Sequence, residues 1–357
     1  MKHYDVVIVG AGPAGSTLAR YLKEQYSVLL IDKRPLDKEP KKLVKNCGGL
    51  IAPDAQKALA SFGLSIPKDI LVDPQMFSVN TIDFDNNLQR EYQRHYINVD
   101  RELYDRWLVS LCGDDIEYAF STRFKSFSSQ NGGYIVSLAN ADEKIEVSTD
   151  LIVGADGANS TVKRLLPSYS KESIKRYISI QEWFDNTTDL NEFVAIFDEE
   201  ISDFYSWIIP KDGQVIFGSA IPEDKDATTY HNLQKEKLRT YGFDLTKANK
   251  KEGCFILRPY SSQEINLGEG NIAFVGEAAG FISPTSAEGI SYAMLSGYAL
   301  AKALLTDKSN FMSHYDRFSK KLQRNINFKM LKYPAMYNKW LRKIILGLGI
   351  GAFKKVK

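Results

Sequence analysis

Three glycines near the N-terminus have the spacing of a phosphate-binding turn. Gly10, Gly12 and Gly15 form a Gly-x-Gly-x-x-Gly motif that encloses Pro13 and Ala14. The first glycine allows a tight turn, the second lets the backbone approach a pyrophosphate, and the third lets the following helix pack closely against a strand. The free N–H groups and the positive dipole end of that helix would meet the phosphates. The motif therefore predicts a dinucleotide site.

The segments around this turn have the order of a βαβ unit. Residues 4–9 form a β-branched strand before the glycines, residues 16–22 follow as a helix, and Val28–Ile31 forms a second apolar strand. That strand ends at Asp32, whose carboxylate can accept hydrogen bonds from ribose hydroxyls. Lys33 follows directly and is also expected at the cofactor, before a lysine-rich loop that extends to Lys45.

Two later strands end in the same way, with an acidic residue and a glycine. The apolar residues 151–155 lead into Asp156 and Gly157, after which a helix begins near Ser160. Residues 271–275 lead into Gly276 and Glu277. An acid and a glycine at the carboxyl end of a buried strand mark an edge that faces a ligand. The sequence thus predicts three such edges.

A helix is predicted from about Ala287 to Leu305, after Pro284. Backbone N–H groups near Ser286 to Gly289, together with the dipole of this helix, would stabilise negative charge on a ligand. Small residues at 293, 296, 297 and 301 suit close packing against another helix or a cofactor.

Residues 177–254 have a different pattern, in which short apolar runs alternate with turns. This pattern predicts a mainly antiparallel sheet that is inserted into the nucleotide-binding fold. Tyr205, Trp207 and Phe217 lie on its strands. They would either line a site for a hydrophobic substrate or pack the core of the sheet.

Cys47, Gly48 and Gly49 form a second glycine-containing segment. Adjacent glycines beside a cysteine suggest a backbone that passes close to a flat or bulky group, although an ordinary turn with a buried thiol has the same sequence. Arg101 lies in the first turn of a helix that Asp100 can cap. A cation is unfavourable there, which suggests an anionic or polar partner, although a solvent-facing arginine is the alternative.

Composition and charge exclude several classes of protein. The 357 residues carry a formal charge of only +2, which gives no case for nucleic-acid binding. Cys47, Cys112 and Cys254 form neither a CxxC pair nor a metal-binding spacing, and we predict no metal. Scattered cysteines indicate reduced thiols in a cytoplasmic protein. No N-terminal leader and no membrane-spanning run is recognised.

The C-terminal residues 340–357 combine apolar and basic side chains. Such a segment can lie on the anionic inner surface of a membrane. Alternatively, it forms a terminal helix that packs on the protein with its lysines in solvent, and its glycines at 347, 349 and 351 weaken the helix.

Together, these segments resemble the flavoprotein hydroxylase superfamily, whose best-known fold is that of para-hydroxybenzoate hydroxylase. Residues 10–32 match its ADP-binding fingerprint, Asp156-Gly157 its Asp-Gly motif, and Gly276-Glu277 with Pro284 its Gly-Asp motif. Two positions depart from the pattern. Glu277 replaces the aspartate, and Lys163 stands where the family has the arginine that closes the Asp-Gly motif.

Within the superfamily, the chain is most similar to the geranylgeranyl reductase family. The similarity lies in the segment Asn46-Cys47-Gly48-Gly49, in the strand Tyr-Ser-Trp-Ile-Ile-Pro at 205–210, and in the residues 284–290 with Ser296-Gly297. The Trp207 strand is also similar to the signature of flavin-dependent halogenases, but the first tryptophan of that signature is missing.

The resemblance implies that the cofactor is FAD. Its ADP half would bind the glycine turn and its ribityl chain would bind Glu277. The remaining positions implied to contact FAD are Cys47, Gly48, Arg101, Asp156, Gly276, Pro284, Ala287, Gly289 and Ile290. Since there is only one dinucleotide fingerprint, NAD(P)H would visit transiently, or a separate protein would donate electrons.

The resemblance also implies an enzyme. Its leading activity is reduction of a carbon–carbon double bond in a prenyl or similar hydrophobic substrate that lies between the flavin and the inserted sheet, with Cys47 helping to position the substrate or deliver a proton. Aromatic hydroxylation, or halogenase-like chemistry, through a flavin hydroperoxide is the alternative. A flavin- or lipid-binding protein without turnover is the third.

The predicted fold class is α/β with an α+β insertion. A Rossmann-like FAD-binding domain would comprise residues 1–75, 97–170 and 265–320. The substrate domain, a mainly antiparallel sheet, would comprise residues 76–96 and 171–264, and residues 321–357 would form C-terminal helices.

Overall fold

The structure of the chain is a computed structural model that describes residues 1–40, 47–141, 143–169, 174–187 and 189–355. The predicted loop after Pro40 and Asn46 of the cysteine-glycine segment lie outside these ranges. Asp142 also lies outside them; the sequence predicts it to be in the turn of a hairpin over residues 134–147. The α-helices are α1 Pro13–Leu22, α2 Pro53–Ser61, α3 Arg101–Ser110, α4 Thr161–Arg164, α5 Ala227–Leu238, α6 Ile290–Thr306, α7 Phe311–Tyr337 and α8 Lys339–Leu348.

The strands form two sheets. They are β1 Lys2–Val9, β2 Val28–Ile31, β3 Leu50–Ile51, β4 Met76–Asp83, β5 Leu88–Asn98, β6 Glu117–Ala119, β7 Arg123–Gln130, β8 Gly133–Ala139, β9 Lys144–Gly154, β10 Lys175–Asp185, β11 Phe193–Phe197, β12 Ser206–Lys211, β13 Gln214–Pro222, β14 Lys250–Arg258, β15 Gly268–Glu269, β16 Ile272–Phe274 and β17 Ala352–Phe353.

The chain folds into two compact units, each built from three separate stretches of sequence. The first unit contains Met1–Lys42, Glu102–Ile174 and Leu257–Phe328. The second contains Leu43–Arg101, Lys175–Ile256 and Lys329–Lys357. Compared with the predicted domain ranges, the described residues 47–75 and 97–101 fall in the second unit, in which β3 pairs with β5 of the second sheet.

The first sheet has the Rossmann-like arrangement that the sequence predicts. Its strand order is β15-β16-β9-β1-β2-β6, and β1 runs parallel to both β2 and β9. The long strand β9 pairs with the antiparallel β8 through its first half and with the parallel β16 through its second half. Parallel strands with both faces covered are apolar throughout, and the four residues of β2 are all buried.

Helix α1 packs against helix α6 at a position where no side chain fits. A Cβ atom on Gly297 would lie 2.4 Å from the carbonyl oxygen of Ala14. The small residue at 297 therefore serves helix–helix contact, which was one of the two roles expected for it.

The second sheet is mainly antiparallel, as predicted. Its order is β14-β10-β13-β12-β11-β4-β5-β17, and its one parallel pair among the described registers is β11 with β4. Helix α5 begins at Ala227, where Asp226 caps it, and Arg239–Tyr241 continues it as a 3-10 turn. The sequence predicts a helix from Tyr230 to Tyr241, and in the structure this helix starts three residues earlier.

Candidate functional site

The glycine turn of the first unit has the geometry that its motif requires. Gly10 has a φ of +109°, and a Cβ atom there would lie 2.4 Å from the carbonyl oxygen of Ala155. A Cβ atom on Gly15 would lie 1.9 Å from the carbonyl oxygen of Gly10. Both positions therefore need glycine for the fold itself.

Gly12 differs from these two glycines because nothing in the described chain opposes it. A Cβ atom at Gly12 would have no described atom within 4 Å, and its φ of −77° suits any residue. It is the N-cap of α1, and Pro13 stands at the first helical position. The absence of a side chain thus leaves an open cradle at the helix N-terminus, of the kind that admits a pyrophosphate.

Asp32, at the end of β2, is buried and fully hydrogen-bonded. One carboxylate oxygen accepts from the Ala11 N–H at 2.9 Å and from the Arg34 side chain at 3.0 Å, and the other accepts from the Arg34 N–H and Nε. Burial alone would raise the pKa of Asp32, but the Arg34 guanidinium outweighs it and holds that pKa below its usual value.

Arg34 is a site residue that the sequence reasoning missed, although it stands two positions after the predicted ribose acid. A ribose hydroxyl that donates to Asp32 must share a carboxylate oxygen with Arg34, which already donates to both oxygens. The guanidinium also reaches Asp105 at 2.9 Å and Glu102 at 3.3 Å. Lys33 is exposed on the same turn, and its contact with a cofactor stays a prediction.

Asp156, directly after β9, adjoins the glycine turn and has an unsatisfied oxygen. Its Oδ2 accepts from the N–H of Thr161 at 2.6 Å, at the start of α4. Its Oδ1 is buried and has no hydrogen-bond partner in the described part of the chain. Burial raises the pKa of Asp156. A buried acceptor without a partner is the kind of atom that a ligand hydroxyl would satisfy.

Gly276 and Glu277 follow β16 in a 3-10 turn that also adjoins the glycine turn. A Cβ atom on Gly276, whose φ is +60°, would lie 3.0 Å from the Cβ of Ala14. The Gly276 N–H donates to Oγ of Ser296 at 2.8 Å. Glu277 Oε1 accepts from the N–H of Leu257 at 2.9 Å, and burial raises the pKa of Glu277 to about 7.

Lys163 joins the segment that follows Asp156 to the turn that contains Gly276 and Glu277. Its side chain is buried, and its Nζ donates to the carbonyl oxygen of Ala278 at 3.2 Å. Burial lowers the pKa of this amine. The lysine that replaces the family's arginine therefore holds the Gly-Glu turn in place.

The loop from Pro284 to Gly289 corrects the predicted helix start. Helix α6 begins at Ile290, with Gly289 as its N-cap, and not near Ala287. Ala287 has a left-handed φ of +51°, and its N–H donates to the Ser283 carbonyl at 3.1 Å. The backbone of Pro284 is fixed by Nε of Arg258, which donates to its carbonyl oxygen at 3.0 Å. The N-terminus of α6 therefore lies three residues later than the sequence indicated.

In the second unit, Cys47 lies beside a guanidinium. Nη1 of Arg101 donates to Sγ of Cys47 at 3.3 Å. The following glycines allow close approach to protein atoms, since a Cβ atom on Gly48 would lie 2.4 Å from Cδ1 of Ile209. Gly49, with φ of +64°, would place its Cβ 2.3 Å from the Val99 carbonyl oxygen. Contact of Cys47, Gly48 and Arg101 with a cofactor stays a prediction.

Lys211 supports this segment from within the second unit and was missed by the sequence reasoning. Its side chain is 1% exposed, and its Nζ donates to Oδ1 of Asn98 at 2.5 Å and to the Val99 carbonyl at 2.8 Å. Burial lowers the pKa of Lys211 to about 8. Negative charge on Cys47, Asp100 and Asp212 acts in the other direction and raises it, but by less than burial lowers it. No local pattern marks a lysine at the end of an apolar strand as buried.

The structure brings two of the three predicted substrate residues together. The rings of Tyr205 and Trp207 lie 5.5 Å apart, and Gly218 makes room for the indole because a Cβ there would lie 2.3 Å from it. Phe217 pairs with Ile208, so it points to the opposite face of the sheet. There it stacks on His231 with ring centroids 4.7 Å apart. Phe217 is therefore a core residue.

The first unit fits FAD: it has an open cradle at a helix N-terminus, an orphaned acceptor on Asp156, and a half-buried acid in the turn at Glu277. Comparison with known proteins agrees. The family model of the FAD binding domain matches residues 98–309, and that of the NAD(P)-binding Rossmann-like domain matches residues 8–36. The chain therefore belongs to the family of FAD-dependent oxidoreductases and monooxygenases, and its cofactor is FAD.

The chain is also similar to curated proteins and to solved structures. The chain is 40% identical to protein CbrA of Escherichia coli (strain HS) over 358 residues, which cover all of this chain and 96% of that protein. A geranylgeranyl bacteriochlorophyll reductase-like protein from Thermoplasma acidophilum superposes with a TM-score of 0.78 at 19% identity, over 98% of this chain and 88% of the other.

A probable FAD-dependent monooxygenase from Pseudomonas aeruginosa, PqsL, superposes with a TM-score of 0.70 at 16% identity, over 98% and 100% of the two chains. At such identities the superpositions establish the fold. They confirm the predicted resemblance to the geranylgeranyl reductase-like and hydroxylase-like flavoproteins, and they leave the reaction open.

Proposed function

We propose that the chain reduces an isolated carbon–carbon double bond of a prenyl or other hydrophobic substrate. The observation that carries this proposal is the Cys47 thiol, held 3.3 Å from the Arg101 guanidinium on a glycine-rich segment. The fold that the chain shares with the geranylgeranyl bacteriochlorophyll reductase-like protein supports it.

Reduction of an alkene needs a hydride on one carbon and a proton on the other. FAD, once reduced by NAD(P)H or by an electron-donor protein, supplies the hydride. The proton comes from Sγ of Cys47. The π bond breaks, two C–H bonds form, and the thiolate takes a proton back from water.

The residues around Cys47 make this proton transfer easier. The Arg101 guanidinium donates a charge-assisted hydrogen bond that stabilises negative charge on Sγ. Lys211 fixes the backbone beside Gly49 through the Val99 carbonyl and Asn98. A donor that is held in place needs no reorganisation when the proton leaves.

A thiol also distinguishes the reductase from its main alternative. Thiolates are readily oxidised to sulfenic acid by peroxides. In an enzyme that works through a flavin hydroperoxide, the thiol beside the flavin would react with the hydroperoxide and consume it. A reductase forms no such oxidant, so its thiol is not exposed to this reaction.

The pair of half-buried Tyr205 and buried Trp207 supports a hydrophobic substrate. Their rings form a tilted pair 5.5 Å apart. Aromatic side chains of this kind bind apolar or planar groups through area burial and ring contacts.

An anaerobic reoxidation experiment tests the proposal. The FAD-loaded protein is reduced without oxygen, and a polyprenyl substrate is added while flavin absorbance is followed. The proposal predicts reoxidation of the flavin and a product that has gained two hydrogens per reduced bond, as read by mass spectrometry. Reduced flavin that persists with every polyprenyl substrate contradicts it.

A monooxygenase is the second candidate, favoured by the fold shared with PqsL and by an aromatic pair suited to planar substrates. Its test is the admission of oxygen to the reduced protein with an aromatic substrate. Hydroxylated product, or halogenated product when halide is present, would establish this alternative. A protein that keeps its flavin and turns over neither substrate would be a binding protein.

A further inference from the structure

The C-terminal helix α8 has an unusual surface, because its large apolar residues face outward. Five of them on this one short helix are exposed: Trp340 at 64%, Leu341 at 43%, Ile344 at 58%, Ile345 at 36% and Leu348 at 68%. Solvent exposure of single apolar residues is ordinary, but a contiguous stripe indicates an interaction surface.

This orientation is fixed by contacts on the inner side of the helix. Arg342 is 4% exposed, and its Nε and Nη2 donate to the two carboxylate oxygens of buried Asp83 at 2.8 and 3.1 Å. Leu346, one turn later, is buried on the same side. Asn338 caps the helix by accepting from the N–H groups of Trp340 and Leu341. The helix therefore cannot roll its apolar face inward without breaking a buried ion pair.

The chain around this face is strongly basic. From Lys329 to Lys355, within the second unit, there are seven lysines and arginines and no aspartate or glutamate; of these, Arg342 pairs with Asp83 and Lys355 with Glu192. Exposed Lys343 lies on the helix, and exposed Lys354 follows it after two more apolar residues, Ile350 and Phe353.

We propose that helix α8 and residues 349–355 dock in the plane of an anionic lipid surface. An apolar stripe rimmed by cations matches the acyl boundary and the phosphate headgroups of such a surface. A second copy of the chain fits less well, because two identical basic faces would repel each other. The surface does not imply a spanning segment, since no helix of the described residues is long and apolar enough to cross a membrane.

Vesicle flotation of the full-length, FAD-loaded protein tests the proposal. The vesicles are phosphatidylcholine alone or phosphatidylcholine with phosphatidylglycerol. We expect binding to the anionic vesicles that weakens as salt is raised. Ile344→Glu should lower this binding about tenfold or more, and a Lys343→Gln and Lys354→Gln double variant should remove the preference for phosphatidylglycerol.

A matched control is Phe77→Glu, which introduces the same charge at a position that is 60% exposed on β4. It should bind as the wild type does. Unchanged FAD content and circular dichroism show that each variant is folded. On anionic vesicles, tryptophan emission should also shift to shorter wavelengths, and Trp340→Phe should abolish the shift.

Three results would overturn the proposal. One is equal recovery of the wild-type protein with and without anionic vesicles. Another is binding by Ile344→Glu at the wild-type level. The third is a dimer, measured by light scattering, that Ile344→Glu dissociates while vesicles capture neither form, which would assign the face to a second copy.

Discussion

The amine of Lys163 donates to the carbonyl oxygen of Ala278 over 3.2 Å, and this contact joins two of the three segments that are predicted to bind FAD. Lys163 lies in α4, just after the Asp156 turn, and Ala278 lies in the turn that contains Glu277. One buried side chain thus links the turns that follow two adjacent strands, β9 and β16, which are far apart in sequence.

Replacing Lys163 by Met should weaken FAD binding while the protein stays folded. The methionine fills similar space but donates no hydrogen bond, whose loss is worth about 1 kcal/mol, or roughly fivefold in affinity. Titration of apo protein with FAD measures the change. The control is Arg164→Met at the exposed neighbouring position. Equal affinities for the two variants would mean that the Lys163 contact does not organise the site.

Gly15→Ala and Gly12→Ala should affect different properties: the first should lower the stability of the fold, and the second should lower the affinity for FAD. Gly15→Ala should destabilise the fold by about 3 kcal/mol, because its methyl group meets the Gly10 carbonyl oxygen. Gly12→Ala should leave the stability of the apo protein nearly unchanged, since no described atom is near, and should lower FAD affinity on the order of 100-fold through a clash with the pyrophosphate. Thermal unfolding and FAD titration separate the two. Normal FAD binding by Gly12→Ala would place the phosphates elsewhere.

Glu277 should make the apo protein lose stability as pH rises. Its pKa is about 7 in the folded state, above the ordinary value of 4.5, so the unfolded chain releases the proton first as pH increases from about 4.5 to 7. The contribution of Glu277 to the free energy of unfolding is therefore fully present below pH 4.5. It falls by up to about 3 kcal/mol by pH 8.

Glu277→Gln has no proton to release, so its stability relative to the wild-type apo protein should increase between about pH 5 and pH 8. Denaturant unfolding at the two pH values measures this. A difference between variant and wild type that is the same at both pH values would show that Glu277 ionises normally in the folded state.

Cys47→Ala should slow substrate reduction and leave reduction of the flavin unaffected. Loss of a general acid costs about 100-fold in turnover, whereas no step that reduces the flavin uses the thiol. Stopped-flow absorbance resolves the two half-reactions. Cys254→Ala provides the thiol control, and its rates should equal those of the wild type. Wild-type turnover by Cys47→Ala would remove the thiol from the mechanism.

The sequence was sufficient to predict those parts of the site that are formed by a single strand and the turn that follows it. The glycine turn, the strand ends at Asp32, Asp156 and Glu277, and the mainly antiparallel second sheet follow from short-range sequence rules, and the structure has them. These features depend on neighbours that are close in sequence.

Features that depend on distant partners could not be predicted. Phe217 and Trp207 lie on different strands, and only the register that pairs Phe217 with Ile208 places them on opposite faces. The start of α6 shifted because Ala287 adopts a left-handed φ, which alanine rarely does. Buried Lys211 depends on acceptors at Asn98 and Val99, more than a hundred residues away.

The most direct test of the account is the binding of FAD by the purified protein, measured by titrating FAD into apo wild type and apo Gly12→Ala under identical conditions. We predict that the wild type binds one FAD per chain and becomes yellow, and that the folded Gly12→Ala variant binds it far more weakly. A folded wild-type protein that stays colourless and does not bind added FAD would contradict the assignment of the three segments as a flavin site.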